Sequence, residues 1–139
     1  MICYYAHSLL TYGTVKEYHE RTFLETKFQK VICPNRDLGG NSPSVSMEPF
    51  LNMVSVCNVL VVSEFRGFIG KGVFTEVCRA AGENKQILVL RKVNSSLKLL
   101  EFKKVVLNDE SDWKLNYGIV YVKSEKKTNI NKNYENKIS

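Results

Sequence analysis

Apolar and polar positions along the chain change period several times. Ile2-Cys3-Tyr4-Tyr5 is a short apolar run that predicts a first strand. Thr14-Val15-Lys16-Glu17 is a capping box, with Thr14 as N-cap. The helix it opens is predicted to run to about Phe28, with Val15, Tyr18, Thr22 and Phe23 facing inward. Val31-Ile32-Cys33 predicts a second strand, which runs into a stretch dense in turn formers, Pro34 to Pro43. Ser46 caps a further predicted helix, with Glu48 and Pro49 in its first turn and Phe50, Leu51, Val54 and Cys57 as its apolar stripe.

Val59-Leu60-Val61-Val62 is a continuous apolar run rich in β-branched residues, the pattern of a parallel strand covered on both faces. Gln86 to Leu90 is a second such run. Between them Val73, Val77, Ala80 and Ala81 recur at helical spacing. After Arg91, Asn94-Ser95-Ser96 is a break. Leu97 to Leu107 predicts a strand, or a short helix plus a strand, and Asn108 to Asp112 an acidic turn. Tyr117 to Val122 predicts a last strand against which Trp113 packs.

Strands alternating with helices predict an α/β domain with right-handed crossovers. The expected architecture is a flavodoxin-like three-layer sandwich, its mainly parallel sheet ordered 2-1-3-4-5. Ligands of such sheets bind at the carboxyl ends of the strands, here between the first and third. Residues 1–123 form this domain. Residues 124–139, rich in Lys and Asn, lack a core pattern and are expected to be a disordered basic tail.

Composition narrows the picture. The chain has 139 residues, 44% of them hydrophobic and 24% charged, ordinary for one globular domain. No apolar run approaches the ~20 residues of a membrane span. The N-terminus lacks the pattern of a signal peptide, so a cytoplasmic location is expected. Half of the net charge of +6 comes from the segment starting at Lys123. The body is therefore only mildly basic and shows no basic stripe with interleaved aromatics, an argument against nucleic acid. Cys3, Cys33, Cys57 and Cys78 form no C-x-x-C pair and fall in or beside apolar segments. They read as buried free thiols, with no metal site and no cofactor.

The chemistry concentrates between Val59 and Leu90. Gly67, Gly70 and Gly72 punctuate the loop before the helix, where backbone amides favour an anion. Gly70-Lys71-Gly72 is not a Walker motif, because Gly72 stands where that motif needs Ser or Thr. Glu76 is placed in about the first turn of the helix, facing the mouth of the crevice. A helix-start acid favoured by the macrodipole is its structural reading.

The strand, glycine loop, Gly72-Val73-Phe74-Thr75-Glu76 and the small residues Ala80-Ala81 resemble the nucleoside 2-deoxyribosyltransferase superfamily. That group includes deoxynucleoside 5′-monophosphate N-glycosidases. The resemblance covers about two thirds of the chain, from Met1. It implies cleavage or transfer of an N-glycosidic bond in a nucleoside or nucleoside 5′-monophosphate. The transition state resembles an oxocarbenium ion, which a carboxylate attacks or stabilises while the departing base takes a proton. Glu76 is the implied catalytic carboxylate and Glu48 the candidate second acid. Similar enzymes carry an aspartate near Glu48 and another where this chain has Asn58. Tyr5, His7, Ser8, Asn35, Ser63, Glu64, Phe68, Gly70, Lys71 and Gly72 are the candidate substrate-binding residues. His19 reads as an exposed helix residue. A homodimer is implied by analogy with similar proteins. Two other classes share these features: a TIR-like enzyme acting on NAD or a nucleotide signal, and a nucleotide binder without catalysis.

Overall fold

The computed structural model describes residues 1–38, 46–108 and 116–123. The expected acidic turn beyond Asn108, Trp113 and the tail from residue 124 lie outside these, as do residues 39–45 of the stretch dense in turn formers. The strands are β1 (Ile2–Ala6), β2 (Lys30–Ile32), β3 (Val59–Ser63), β4 (Phe68–Ile69), β5 (Gln86–Val93), β6 (Ser96–Leu107) and β7 (Gly118–Val122). The helices are α1 (Val15–Lys27), α2 (Pro34–Asp37), α3 (Glu48–Val56) and α4 (Lys71–Gly82). No described helix is long and apolar enough to cross a membrane.

β1 pairs in parallel with β2 on one side and β3 on the other, and β3 pairs in parallel with β5. All five residues of β3 are buried, because helices cover both faces. α3 and α4 lay Phe50, Val54, Val73, Val77 and Ala80 on the face that carries Tyr4, Ala6, Leu60 and Val62. α1 covers the opposite face, where Leu24 meets Tyr5, Val59 and Val61. The parity of β1 follows: Tyr4 points toward α4 and Tyr5 toward α1.

The sheet departs from the expected order 2-1-3-4-5. Among the described residues it has seven strands, ordered β2-β1-β3-β5-β6-β7-β4, and is parallel only as far as β5. β5 turns directly into the antiparallel β6, with Val93 opposite Ser96. Asn94 and Ser95 between them have φ of 51° and 68°, the left-handed pair of a two-residue hairpin loop. Such a loop leaves no room for a crossover helix. β7 then pairs antiparallel with β6 and with β4. Gly118 sits tightly in this ribbon, where an added Cβ would lie 2.7 Å from Val105 Cγ1.

The helices also correct three local expectations. Thr14 caps α1 as expected, its Oγ1 accepting the Glu17 amide at 3.2 Å. The inward face of α1 is nevertheless Glu17, Glu20 and Leu24, while Val15 and Tyr18 are 70% and 58% exposed and Thr22 is exposed too. Residues 34–37 form a helical turn rather than open loop. Met47 is the N-cap of α3, although Ser46 Oγ does accept the Glu48 amide at 3.2 Å.

Candidate active site

A cleft of about 160 Å³ opens where β1 ends and α4 begins. His7, Ser8 and Tyr12 line it after β1, Met47 before α3, and Gly70 to Val73 with Thr75 and Glu76 along α4. Its volume is below the ~300–1,000 Å³ usual for drug-sized ligands, so there is room inside for a small group only.

Glu76 is the sixth residue of α4, a turn further in than expected, and 5% exposed. At that position its side chain turns down onto the sheet, where the Tyr4 hydroxyl donates to Oε2. Burial pushes the Glu76 carboxyl up to about 8, and the Tyr4 hydrogen bond pulls the other way. Burial and then the neighbouring Glu76 charge drive the Tyr4 phenol far above its ordinary value, so it stays a donor. Burial likewise raises Tyr12.

α4 starts at Gly70, which has no side-chain cap. The amides of Lys71, Gly72 and Val73 open the helix at the cleft wall, and Lys71 is exposed beside them. That is an arrangement for an anion. Neither Gly70 nor Gly72 has positive φ; in this loop Arg66 and Gly67 do, at 54° and 86°. A Cβ on Gly72 would make ordinary contact with Met47 Sδ at 3.8 Å. Backbone strain is therefore not what these two glycines serve.

His7 is buried and held on three sides. Its Nδ1 donates to the Tyr5 carbonyl at 2.9 Å, and its Nε2 lies 2.6 Å from Glu17 Oε2. The Tyr5 ring stacks on it with centroids 3.8 Å apart. Burial pushes His7 down. In Glu17 burial is outweighed by hydrogen bonds from His7, the Gly13 amide and Asn35, which hold it below its usual value.

The structure therefore gathers His7, Ser8, Gly70, Lys71, Gly72 and Glu76, and sends six other candidates elsewhere. Tyr5 turns to the α1 face and donates to Glu20 Oε1 at 2.6 Å. Ser63 joins the same network, donating to Glu20 Oε1 at 2.6 Å and accepting from Lys16 Nζ at 3.0 Å. Glu64 forms a two-pronged ion pair with Arg91 (2.7 and 2.9 Å), and that guanidinium also donates to the Val120 carbonyl. Asn35 bonds to Glu17 and Cys33 instead, with Oδ1 3.2 Å from Cys33 Sγ. Phe68 pairs with Ile119 in the antiparallel ribbon. Glu48 is exposed at the start of α3 and does not line the cleft.

Sequence reasoning missed Tyr4, Tyr12, Met47 and Thr75. Tyr4 was within reach. The strand alternates, and the faces of Tyr4 and Tyr5 are settled once α4 is assigned to one side. Of the cysteines, Cys3, Cys33 and Cys57 are buried as expected, but Cys78 is exposed, about 200° round α4 from Glu76. Burial raises Cys3 to about 12 and Cys33 and Cys57 to about 11. His7, Glu17 and Cys33 bring one ligand atom each to within 4.8 Å of one another.

Comparison of the chain with protein-family models, with curated proteins and with solved structures returned no match.

Proposed function

We propose that the cleft cleaves the N-glycosidic bond of a nucleoside 5′-monophosphate, with Glu76 as the carboxylate at the anomeric carbon. One observation carries this reading: a buried carboxyl, held by a tyrosine, shares a small cleft with the uncapped start of α4. The resemblance of Gly72 to Glu76 and the strands around it to nucleoside 2-deoxyribosyltransferases supports the same chemistry.

In this reading the phosphate rests on the amides of Lys71 to Val73, with the Lys71 ammonium beside it. The sugar fills the cleft and the base projects through the mouth. A fixed phosphate and a fixed carboxylate at opposite ends of the sugar hold the anomeric carbon in line. The ionised form of Glu76 stabilises the developing positive charge, and Tyr4 orients the carboxylate while favouring that form. The neighbouring cationic transition state makes ionisation easier than in the free cleft. Incubation with deoxynucleoside and ribonucleoside 5′-monophosphates, followed by chromatography of the free base, tests the proposal. Release of base that disappears in Glu76→Gln supports it; no release from any nucleotide or nucleoside overturns it.

A nucleotide binder without turnover is the second reading, and the exposed position of Glu48 favours it. Glycosidic cleavage commonly uses two carboxyl groups, and among the described lining residues Glu76 is the only one. Thermal stabilisation by nucleotides without release of base supports this reading.

A further inference from the structure

The contact between His7 and Glu17 is unusual in its lone pairs. The Tyr5 carbonyl only accepts, so His7 Nδ1 carries the ring hydrogen that reaches it at 2.9 Å. Nε2 then either shares a proton with Glu17 Oε2, 2.6 Å away, or frees its lone pair for a cation. Two such groups approach that closely only around a shared proton or a cation. Cys33 Sγ stands beside them, and all three side chains belong to buried residues.

We infer that His7, Glu17 and Cys33 form a site for one divalent transition-metal ion of zinc's class. Nitrogen, carboxylate oxygen and sulfur are the donors zinc takes, and three protein ligands leave the fourth tetrahedral position open. Metal–ligand distances of about 2.0–2.3 Å place donors about 3.3–3.6 Å apart in a tetrahedron. The three ligand atoms already lie within 4.8 Å of one another. The Nε2–Oε2 pair must open by about 0.8 Å from its hydrogen-bonded separation to reach that spacing.

The surroundings are those of a built site. A hydrogen bond from the far ring nitrogen of a ligating histidine to a carbonyl orients the ring, and Nδ1 makes that bond to Tyr5. Glu17 Oε1 is fixed by the Gly13 amide at 3.1 Å; without metal the Cys33 thiol donates to Asn35 Oδ1 at 3.2 Å, a bond that is given up when the thiolate binds. Binding displaces the thiol proton of Cys33, so the ligands contribute two negative charges to a divalent ion. Of the nearby cations, Arg36 is engaged by Asp37 and Glu25, and Arg21 lies over the Tyr18 ring. His7 also lines the cleft, which provides the way in. The site departs from the sequence expectation of no metal, because residues 7, 17 and 33 come from three segments that only folding brings together.

The test is titration of the full chain, freed of metal by chelator, with Zn²⁺ and separately with Co²⁺. The expected result is one ion per chain, a rise in Tm, and a near-ultraviolet thiolate-to-cobalt band with tetrahedral visible bands. Cys33→Ser should abolish the thiolate band, and Glu17→Gln should weaken Zn²⁺ binding by about 10-fold or more. Cys78→Ser and Glu76→Gln should leave both unchanged. Absence of a thiolate band in the wild-type chain at saturating Co²⁺ would overturn the inference even if Cys33→Ser does not fold. A band surviving in folded Cys33→Ser would do the same. The readout is independent of base release, so it stands or falls apart from the glycosidase reading.

Discussion

The Tyr4 phenol donates a hydrogen bond to the Glu76 carboxyl across 72 residues of sequence. Tyr4 lies on β1, between β2 and β3 in the sheet, and Glu76 on the helix that packs over that face, so the pair joins the sheet to the cleft. A buried carboxyl with one donor is balanced between its two protonation states. Burial favours the acid and the phenol favours the anion, and burial prevails.

Replacing Glu76 by Gln keeps the shape and removes the charge. Base release should fall by at least ~10³, about 4 kcal/mol of barrier. Nucleotide affinity should hold, because the phosphate rests at the other end of the sugar and burial already favours the uncharged acid in the free cleft. Steady-state turnover and equilibrium binding measured on the same preparation check this. Intact turnover would leave Glu76 with a purely structural role.

The same substitution should remove a pH dependence of stability. Glu76 has its folded pKa raised from 4.5 to about 8. The unfolded chain therefore loses this proton first, and the contribution to stability falls as pH rises from ~4.5 to ~8. At ~1.4 kcal/mol per unit the full loss is of order 5 kcal/mol. Glu76→Gln has no proton to lose. Its Tm relative to wild type should rise between about pH 5 and about pH 9 and level off above. A constant difference across that range would show that the carboxyl is ionised throughout.

Tyr4→Phe removes the donor and nothing else of size. The Glu76 carboxyl should titrate higher still, so the rising limb of kcat/KM against pH should move to higher pH. A buried acceptor without a partner costs about 1–3 kcal/mol of stability. A pH–rate profile and a denaturant melt separate the two effects. An unmoved profile would mean that Tyr4 does not act through Glu76.

Lys71→Ala tests the anion end of the cleft. An exposed ammonium contributes at most ~1 kcal/mol, so the KM for a 5′-monophosphate should rise about 5-fold. The KM for the matching nucleoside should not change. Equal effects on both substrates would place the phosphate elsewhere.

Ser63→Ala separates the α1 side of the sheet from the cleft. It removes one donor from the buried Glu20 and should cost about 1–3 kcal/mol. Base release per folded molecule should be unchanged, because Ser63, Tyr5 and Glu20 face away from the cleft. A selective loss of turnover with stability intact would bring that network into the site.

Local pattern alone determined much of this protein. The apolar run of Val59 to Val62 announced a strand covered on both faces, and helical spacing from Val73 to Ala80 announced the helix over it. Thr14 and Glu17 marked the start of α1, and the small residues before α4 marked the cleft wall. These features are local because strand burial, capping and helix periodicity are properties of a few consecutive residues.

Tertiary structure decided the rest. The two-residue turn at Asn94-Ser95 made β6 antiparallel, and nothing in the leucine and lysine pattern of that strand distinguished it from a parallel partner. The inward face of α1 is acidic because Glu17 and Glu20 meet His7, Tyr5, Ser63 and Lys16 there. Such partners offset the cost of burying a carboxylate, but they come from distant segments that no periodicity reveals. The choice of Tyr4 over Tyr5 as the partner of Glu76 turned on a one-residue parity. That parity acquires meaning only when α4 packs on one face of the sheet and α1 on the other.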